Sequence, residues 1–477
     1  MRRKDKEITD RNAIESIISN SRVCRLAMVD DAGPYIVPLC FGFRNNTLYF
    51  HSAAEGKKLG LLRKNPRVCF ELDCDTEVRT GEKACDFSMC YRSVIGFGNA
   101  AFIEATAAKC EALDIIMEDL PLPGVLGRIC PHGCEDACRR GEVNESVAIC
   151  ALKRYAADGD RGLWKKEHKI EADSGKKVVV VGAGPAGLTA AFYLRRKGHA
   201  VTVFDAKPAA GGMLRYGIPP YRLPRDILDR EIADILAPGI KLKTGWSLGK
   251  DFTLDQLTHN GFDAVFLAVG AQDSQFISLD GCNRPDVIRG VEFLQQVARG
   301  GDIRLKANVV VIGGGNVAVD AAMTARRCGA ADVKIVCLEG LGEMPTRSWL
   351  LKEAIAEGIE ILPSWGPGRV ISKDGKVTGL DLVECSCLYD EKGEFCPKFG
   401  QTRECIPADQ VIIAVGQAAD LSFLKDGCPI KVERGRIAVN PDSLATDVTG
   451  IYAGGDVTDA PGTVDVACLP ALLVAAA

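Results

Sequence analysis

Two glycine-rich stretches and one cysteine cluster carry the residue types and spacings that could do chemistry. Gly182, Gly184 and Gly187 stand at G-x-G-x-x-G, with Pro185 and Ala186 inside the turn, directly after the four valines Val178 to Val181. In such a unit the first glycine permits a tight turn. The second lets backbone approach a pyrophosphate, and the third lets helix pack on strand. The helix N-terminus then faces the phosphates. Asp205 follows Gly187 by 18 residues, at the end of the next apolar run, where a carboxylate accepts from ribose hydroxyls. A second unit repeats the pattern as G-x-G-x-x-A, with Gly313, Gly315 and Ala318 enclosing Asn316 and Val317. Its next strand runs out at Glu339. An acid there favours a free ribose 2′-hydroxyl, and an arginine would favour a 2′-phosphate. The reading is therefore NADH over NADPH, with a solvated turn residue as the alternative role for Glu339.

Two dinucleotide units in one chain imply two dinucleotides, and hydride chemistry makes FAD and NAD(P)H the natural pair. Gly455 and Asp456, in Tyr452-Ala453-Gly454-Gly455-Asp456, place an acid after a strand and two glycines, which suits a ribityl hydroxyl. The runs 265–270 and 411–416 are expected to be the strands where the chain leaves and re-enters the first of these domains.

The chain holds 20 cysteines. Cys130, Cys134, Cys138 and Cys150 stand at C-x3-C-x3-C-x11-C. Thiolates are the usual ligands of iron–sulfur clusters, and four are usually needed. A [4Fe–4S] cluster is the first reading, with Cys110 as another candidate for the fourth ligand. A structural zinc and a site without metal are the alternatives. His132, inside the motif, is read as a capping or packing residue. Cys74, Cys85 and Cys90 are irregularly spaced and read as structural, and most other cysteines as small buried hydrophobes.

These groups need elements to position them. At 477 residues the chain has room for about three domains. With 47% hydrophobic and 26% charged residues the composition is globular, and a net charge of −4 supplies no basic footprint for nucleic acid. No apolar run of about 18 residues exists and the start shows no apolar signal region, so a cytoplasmic, membrane-free location is expected. Short apolar runs and turns through residues 1–105 predict a small antiparallel barrel, with Asn45-Asn46 and Asp31 to Pro34 as turns. Residues 106–172 read as a helical segment holding the cysteines. From Lys176 onward, alternating strands and helices predict a doubly wound parallel sheet. The division is 176–280 with 406–477 for the FAD domain and 281–405 for the NAD(P) domain.

The second half resembles the small subunit of glutamate synthase and related NAD(P)H-dependent iron–sulfur flavoproteins. The carrying pieces are GRICPHGCEDAC (127–138), VAICALKRYAAD (147–158), GAGPAGLTAA (182–191), GGMLRYGIPPYRLP (211–224), VIGGGNVAVDAA (311–322), EMP (343–345) and YAGGD (452–456). The resemblance implies FAD in the first Rossmann domain, with Gly212, Met213 and Arg215 in its binding set. It implies NAD(P)H in an inserted second domain and electrons passed to iron–sulfur clusters and partner subunits. Relatives carry a further cysteine at the position of Leu126, and they hold a 2′-phosphate with paired arginines where this chain has Leu338 and Glu339. The tail beyond Gly462 diverges from the family pattern.

Residues 21–104 resemble the split-barrel flavin-binding proteins related to pyridoxamine-phosphate oxidase and nitroimidazole-resistance proteins. The pieces are RLAMVDDAGPYIVPLCFGF (25–43), LYFHSAAEGKKLGLLRKNPRVCFELD (48–73) and CYRSVIGFGNAAFIE (90–104). This resemblance implies FMN, held near its phosphate by His51, Ser52, Lys57 and Lys58, and pairing of two copies through the barrel. A solvated lysine pair on a turn is the alternative for the last two.

The resulting expectation is a multidomain oxidoreductase: an N-terminal antiparallel split β-barrel, a helical Fe–S segment, then α/β tandem Rossmann-like FAD and NAD(P) domains. It would pass hydride from NAD(P)H to FAD and electrons on to the cluster and a partner protein. No side-chain acid or base is called for, because the catalytic work is placing the nicotinamide against the flavin. The alternative is an FMN-binding barrel fused to a truncated, non-catalytic flavoprotein scaffold.

Overall fold

The computed structural model describes residues 6–459, apart from short stretches at 22, 31–32, 53–55, 80–87, 106–107, 110–111, 113–119, 137, 143, 160–169, 276, 302, 392–393, 425–427 and 442. Of the expected turn Asp31 to Pro34, residues 31–32 lie outside the described residues, whereas Gly33 and Pro34 belong instead to the strand Gly33–Leu39, paired with Asp30 and Val29. The fourth-ligand candidate Cys110, Cys85 and the tail after Gly462 also lie outside the described residues. The chain divides into two compact units, 1–123 with 132–168 and 124–131 with 169–477.

In the first unit, β1 (Cys24–Asp30), β2 (Gly33–Leu39), β5 (Arg67–Arg79) and β6 (Ser88–Asn99) form an antiparallel sheet in the order β2-β1-β5-β6. Between them β3 (Gly42–Arg44) and β4 (Thr47–Tyr49) make a hairpin. Asn45 and Asn46 both take positive φ there (50° and 58°), the conformation that a two-residue hairpin turn demands. The inner face packs Leu26, Met28 and Val68 against Leu61 and Leu62 of the helix Lys57–Lys64. A second group around Cys24 and Leu72 packs on Ile18 of the helix Arg11–Asn20, and Phe50 and Phe70 bridge the two. Gly96 lies opposite Phe70, and a Cβ at Gly96 would fall 2.1 Å from the Phe70 ring. The aromatic ring thus covers the bare backbone across the strand pair.

The second unit contains two parallel sheets. β7 (Lys177–Val181), β8 (Ala200–Asp205), β9 (Lys241–Thr244), β10 (Ala264–Leu267) and the late strand Ile451–Ala453 align with β7 in the centre and the late strand beside β10. A two-stranded link pairs β11 (Asp273–Ser274) with the segment Gln417–Ala418, so the chain crosses out of and back into the first sheet side by side. β12 (Val287–Arg289), β13 (Asn308–Ile312), β14 (Asp332–Val336) and β15 (Glu360–Leu362) belong to the second sheet. An antiparallel sheet of β16 (Trp365–Lys373), β17 (Lys376–Tyr389) and β18 (Phe395–Pro407) follows before β19 (Gln410–Ile413). β19 pairs in parallel with β12 and β13. The run 411–416 was expected at re-entry into the first domain. It lies instead in the middle of the second sheet, and re-entry comes after it. Its Val-Ile-Ile composition fits the interior of either sheet, because parallel strands are buried on both faces.

The central strands of both sheets are hydrophobic. Val179, Val180, Val309 and Val311 are at most 1% exposed. Helices Pro185–Arg196 and Asn316–Arg327 cover equivalent faces, packing alanine-rich sides onto the strands. No helix among the described residues is long and apolar enough to cross a membrane.

Candidate active site

A cleft of about 1210 Å³, part of it open to solvent, lies inside the second unit where its two Rossmann repeats meet. Its walls take Gly184 and Asp456 from the first repeat and Asn316 and Asp320 from the second, with Ile129 and Pro131 closing one side. Pockets of this kind preferentially form at domain junctions and sheet switch points.

The first Gly-rich turn is sterically committed. Gly182 has φ +109°, and a Cβ there would sit 2.2 Å from the Ala268 carbonyl oxygen. At Gly187 a Cβ would sit 1.8 Å from the Gly182 carbonyl, so helix and turn touch with nothing between them. Gly184 is the N-cap of the helix Pro185–Arg196 and offers no side-chain cap, which leaves the first N–H groups to a ligand. Ala186, Gly212 and Met213 line the same cleft.

Asp205 is buried at the end of β8. Its Oδ2 accepts from the Ala183 N–H at 2.7 Å and its Oδ1 from the Lys207 N–H at 2.7 Å. Burial raises its pKa against the pull of those donors. The carboxylate therefore ties the Gly-rich turn to the strand end, and each oxygen keeps one further lone pair on a residue that lines the cleft. Asp456 also lines the cleft, and burial raises its pKa too. Arg215 does not line the cleft. Its Nε donates to the Ala210 carbonyl at 2.6 Å and its guanidinium pairs with Asp229, so it braces the 211–217 loop.

In the second repeat Gly313 has φ +133°, with a would-be Cβ 2.2 Å from the Ala414 carbonyl. Gly315 is the uncapped N-cap of the helix Asn316–Arg327, and Ala318 is fully buried beneath it. Asn316 Oδ1 accepts from the Thr346 hydroxyl at 2.9 Å, which fixes the loop carrying the EMP residues beside the turn. Val317 lines the cleft. Glu339 lies against the turn, for a Cβ on Gly314 would come within 2.6 Å of its Oε2.

The two repeats are bridged by a pair that sequence reasoning passed over. Arg222 Nη1 donates to Asp320 Oδ2 at 2.5 Å, and both side chains are about nine-tenths buried (11% and 7% exposed). The Arg222 guanidinium also stacks 5.5 Å from the Trp349 ring, and Arg327 lies 3.6 Å over Tyr221. Burial raises the Asp320 carboxyl pKa, with Arg222 opposing it. Asp320 Oδ1 has no hydrogen-bond partner among the described residues, on a side chain that lines the cleft. The signal was present, since Tyr221 and Arg222 belong to the quoted 211–224 stretch and Asp320 to 311–322. Their pairing across 98 residues was not readable.

The cysteines divide between the two units. Cys130, 3% exposed, ends the helix Pro123–Ile129 in the second unit, flanked by the cleft-lining Ile129 and Pro131. Cys134, Cys138 and Cys150 belong to the first. The backbone N–H groups of Val147 and Arg140 point at the Cys138 sulfur and hold its pKa below the ordinary thiol value, the state a metal ligand needs. Glu135 accepts from the Cys150 N–H at 2.7 Å and sits 3.1 Å from His132 Nδ1. Donor atoms of His132, Glu135 and Cys150 all fall within 4.8 Å of one another. His132 is thus placed among potential ligand atoms and not only in a cap. The donor chemistry suits an iron–sulfur centre: soft sulfur ligands, one of them with its pKa lowered by backbone donors.

In the first unit His51 and Ser52 are exposed after β4. Lys57 Nζ pairs with Asp30 Oδ2 at 2.7 Å and lies 4.9 Å over the Tyr35 ring, so its charge is already matched. Lys58 is half-buried, and burial lowers its pKa.

A family described as pyridine nucleotide-disulphide oxidoreductase matches residues 176–470. The chain belongs to this family of oxidoreductases. A second family, described as pyridoxamine 5'-phosphate oxidase, matches residues 10–130. Among curated relatives, the NADP(+)-dependent formate dehydrogenase subunit beta of Moorella thermoacetica is 41% identical over 73% of this chain and 53% of that protein. The NADPH-Fe(3+) oxidoreductase subunit beta of Geobacter sulfurreducens is 36% identical over 75% of this chain and 58% of that protein. The glutamate synthase [NADPH] small chain of Escherichia coli is 31% identical over 73% and 78%. The chain thus spans about half the length of the first two of these relatives. In structure, FprA of Mycobacterium tuberculosis in complex with NADPH aligns with TM-score 0.55 at 20% identity, over 63% of this chain and 83% of that one, which shows a shared fold. The expected recognition of a flavin and pyridine-nucleotide oxidoreductase with a fused pyridoxamine-oxidase-like domain is borne out.

Proposed function

We propose that the second unit takes a hydride from NADH onto FAD and passes electrons to a [4Fe–4S] cluster held by Cys130, Cys134, Cys138 and Cys150, and thence to a partner subunit. One observation carries this reading. A single cleft is lined at once by the first turn (Gly184), the second helix start (Asn316, Asp320) and the residues on either side of Cys130. FAD, when bound, supplies a two-electron acceptor for hydride that releases electrons singly. The protein's part is placement. The uncapped N–H groups at Gly184 would take the pyrophosphate, while Asp205, Gly455 and Asp456 would meet sugar hydroxyls. The Gly313–Ala318 turn with Glu339 would hold the pyridine nucleotide. The buried Arg222–Asp320 pair ties the two repeats together and would help hold the nicotinamide against the flavin near attack geometry. The relatives named as subunits support a partner protein as acceptor.

In the first unit, closure of the sheet and hairpin into a split barrel that binds FMN at His51, Ser52 and Lys58 is part of the same proposal. The occupied Lys57 leaves three of the four candidate contacts. The intact cleft favours the enzyme over a non-catalytic scaffold.

Anaerobic titration of the reconstituted full chain with NADH tests the reading. Bleaching of both flavin and iron–sulfur absorbance is expected, with a weaker response to NADPH. A chain that carries no FAD, or whose flavin stays oxidised, overturns it.

A further inference from the structure

Glu231 sits on the helix Arg225–Leu236, only 5% exposed, and the chemistry proposed above makes no use of it. Its Oε1 accepts from the Gly124 N–H at 2.5 Å and its Oε2 from the Val125 N–H at 2.9 Å. Those two donors open the helix Pro123–Ile129, which has seven residues and is followed directly by Cys130. A helix this short does not hold itself in water, because the nucleation cost exceeds what so few turns return. Its first N–H groups have no partner within the helix and are expensive to bury unmet. Here a carboxylate from the flavin domain meets two of them at once. Gly124 is shaped for that contact: a Cβ there would fall 2.6 Å from Glu231 Oε1 and 3.2 Å from Ile227. The helix then carries Ile129 and Pro131 into the cleft wall with Cys130 between them. At 1.5 Å per residue, Cys130 is about 9 Å along the helix from this grip, so Glu231 acts at a distance from the reacting groups.

We propose that Glu231 is the positioning residue that fastens the Cys130-bearing segment 124–131 to the flavin domain. The functional side of this inference rests on the reading that the cleft holds flavin and that Cys130 ligates a cluster. The mechanical side does not.

The test uses the full-length chain with Glu231→Ala, Glu231→Gln and Gly124→Ala. Hydrogen–deuterium exchange in 124–131 is expected to rise at least tenfold in Glu231→Ala and Gly124→Ala, with the strands of both Rossmann sheets unchanged. Glu231→Gln can accept only one of the two N–H groups and should fall between. In reconstituted protein, NADH should bleach the flavin band of the variants at the wild-type rate, while the iron–sulfur band responds at least tenfold more slowly or is lost. Unchanged exchange in 124–131 overturns the proposal, and so do flavin and iron–sulfur responses that decline together. If the wild-type chain holds neither flavin nor cluster, the functional reading fails by itself, and exchange in the unloaded chain still decides whether Glu231 grips the helix.

Discussion

Under the proposed function, Glu339 is the side chain that would choose between two coenzymes that differ by a phosphate. Its carboxylate lies against Gly314, in the second Gly-rich turn. A 2′-phosphate brought to that turn would face a like charge in a partly desolvated place, where repulsion is much stronger than in bulk water. A free ribose hydroxyl would find an acceptor instead. The two relatives named for NADP(+) and NADPH show that the wider group also takes the phosphorylated coenzyme, so the choice is local. Flavin reduction is expected to favour NADH over NADPH by at least tenfold in kcat/KM, about 1.4 kcal/mol. Glu339→Arg should reverse that preference, as initial rates with each coenzyme would measure. Equal use of both by the wild-type chain would mean that Glu339 turns to solvent. Asp205, read the same way in sequence, has a second role that spacing could not reveal. Both its oxygens are engaged by backbone N–H groups of the turn and strand end it joins.

The helix Arg225–Leu236 carries a titration with a definite sign. Burial pushes the Glu231 carboxyl up to about 7, while the Val125 and Gly124 donors pull the other way. The folded chain therefore holds this proton more tightly than the unfolded chain does. The stabilisation is full below about pH 4.5, the unfolded value, and is lost as pH rises through about 7. Between about pH 5 and pH 8 the wild-type chain should lose stability relative to Glu231→Gln by on the order of 3 kcal/mol. Denaturant midpoints of the two proteins across that range would show it, and parallel curves would remove Glu231 as the cause. What was legible at this scale was whatever is local. G-x-G-x-x-G with its strand and helix is a contiguous pattern, and both turns sit where their spacing put them. Contacts that join distant segments were not legible. Glu231 meets Gly124 across 107 residues and Arg222 meets Asp320 across 98. The 411–416 run went to the wrong sheet because its apolar pattern is the same for any central parallel strand, and only pairing with Val309 to Ile312 decides. The cysteine spacing predicted a metal site, but nothing in it placed Glu135 on the Cys150 amide.

The chain joins two units of different construction, and among the described residues the smaller one carries an exposed hydrophobic face. On the outer side of its sheet, Ile36, Ala27, Cys69 and Phe97 form one row across all four strands, in register through β1 and β5. Ile36 and Phe97 are 60% and 75% exposed, and Val29 and Ile95 extend the patch at 65% and 64%. Beside the row, Arg25 pairs with Glu71 and Asp73, so one edge carries both signs of charge and is able to meet itself. Two-fold pairing puts the same patch on both sides of an interface, and a sheet face with apolar centre and mixed charged rim suits that arrangement. A soluble protein rarely leaves such a row to water, since patches of this kind mark interaction surfaces. The expectation is a dimer through this face. Phe97→Lys combined with Ile36→Lys would place like charges opposite each other at the two-fold interface and should convert the chain to monomer at micromolar concentration, read by multi-angle light scattering. The substitutions lie on the outer face of the sheet, in the other unit from the flavin cleft, so NADH should still bleach flavin in the monomer. A wild-type chain that is already monomeric under those conditions would assign the face to another partner, and a variant that stays dimeric would place the interface elsewhere.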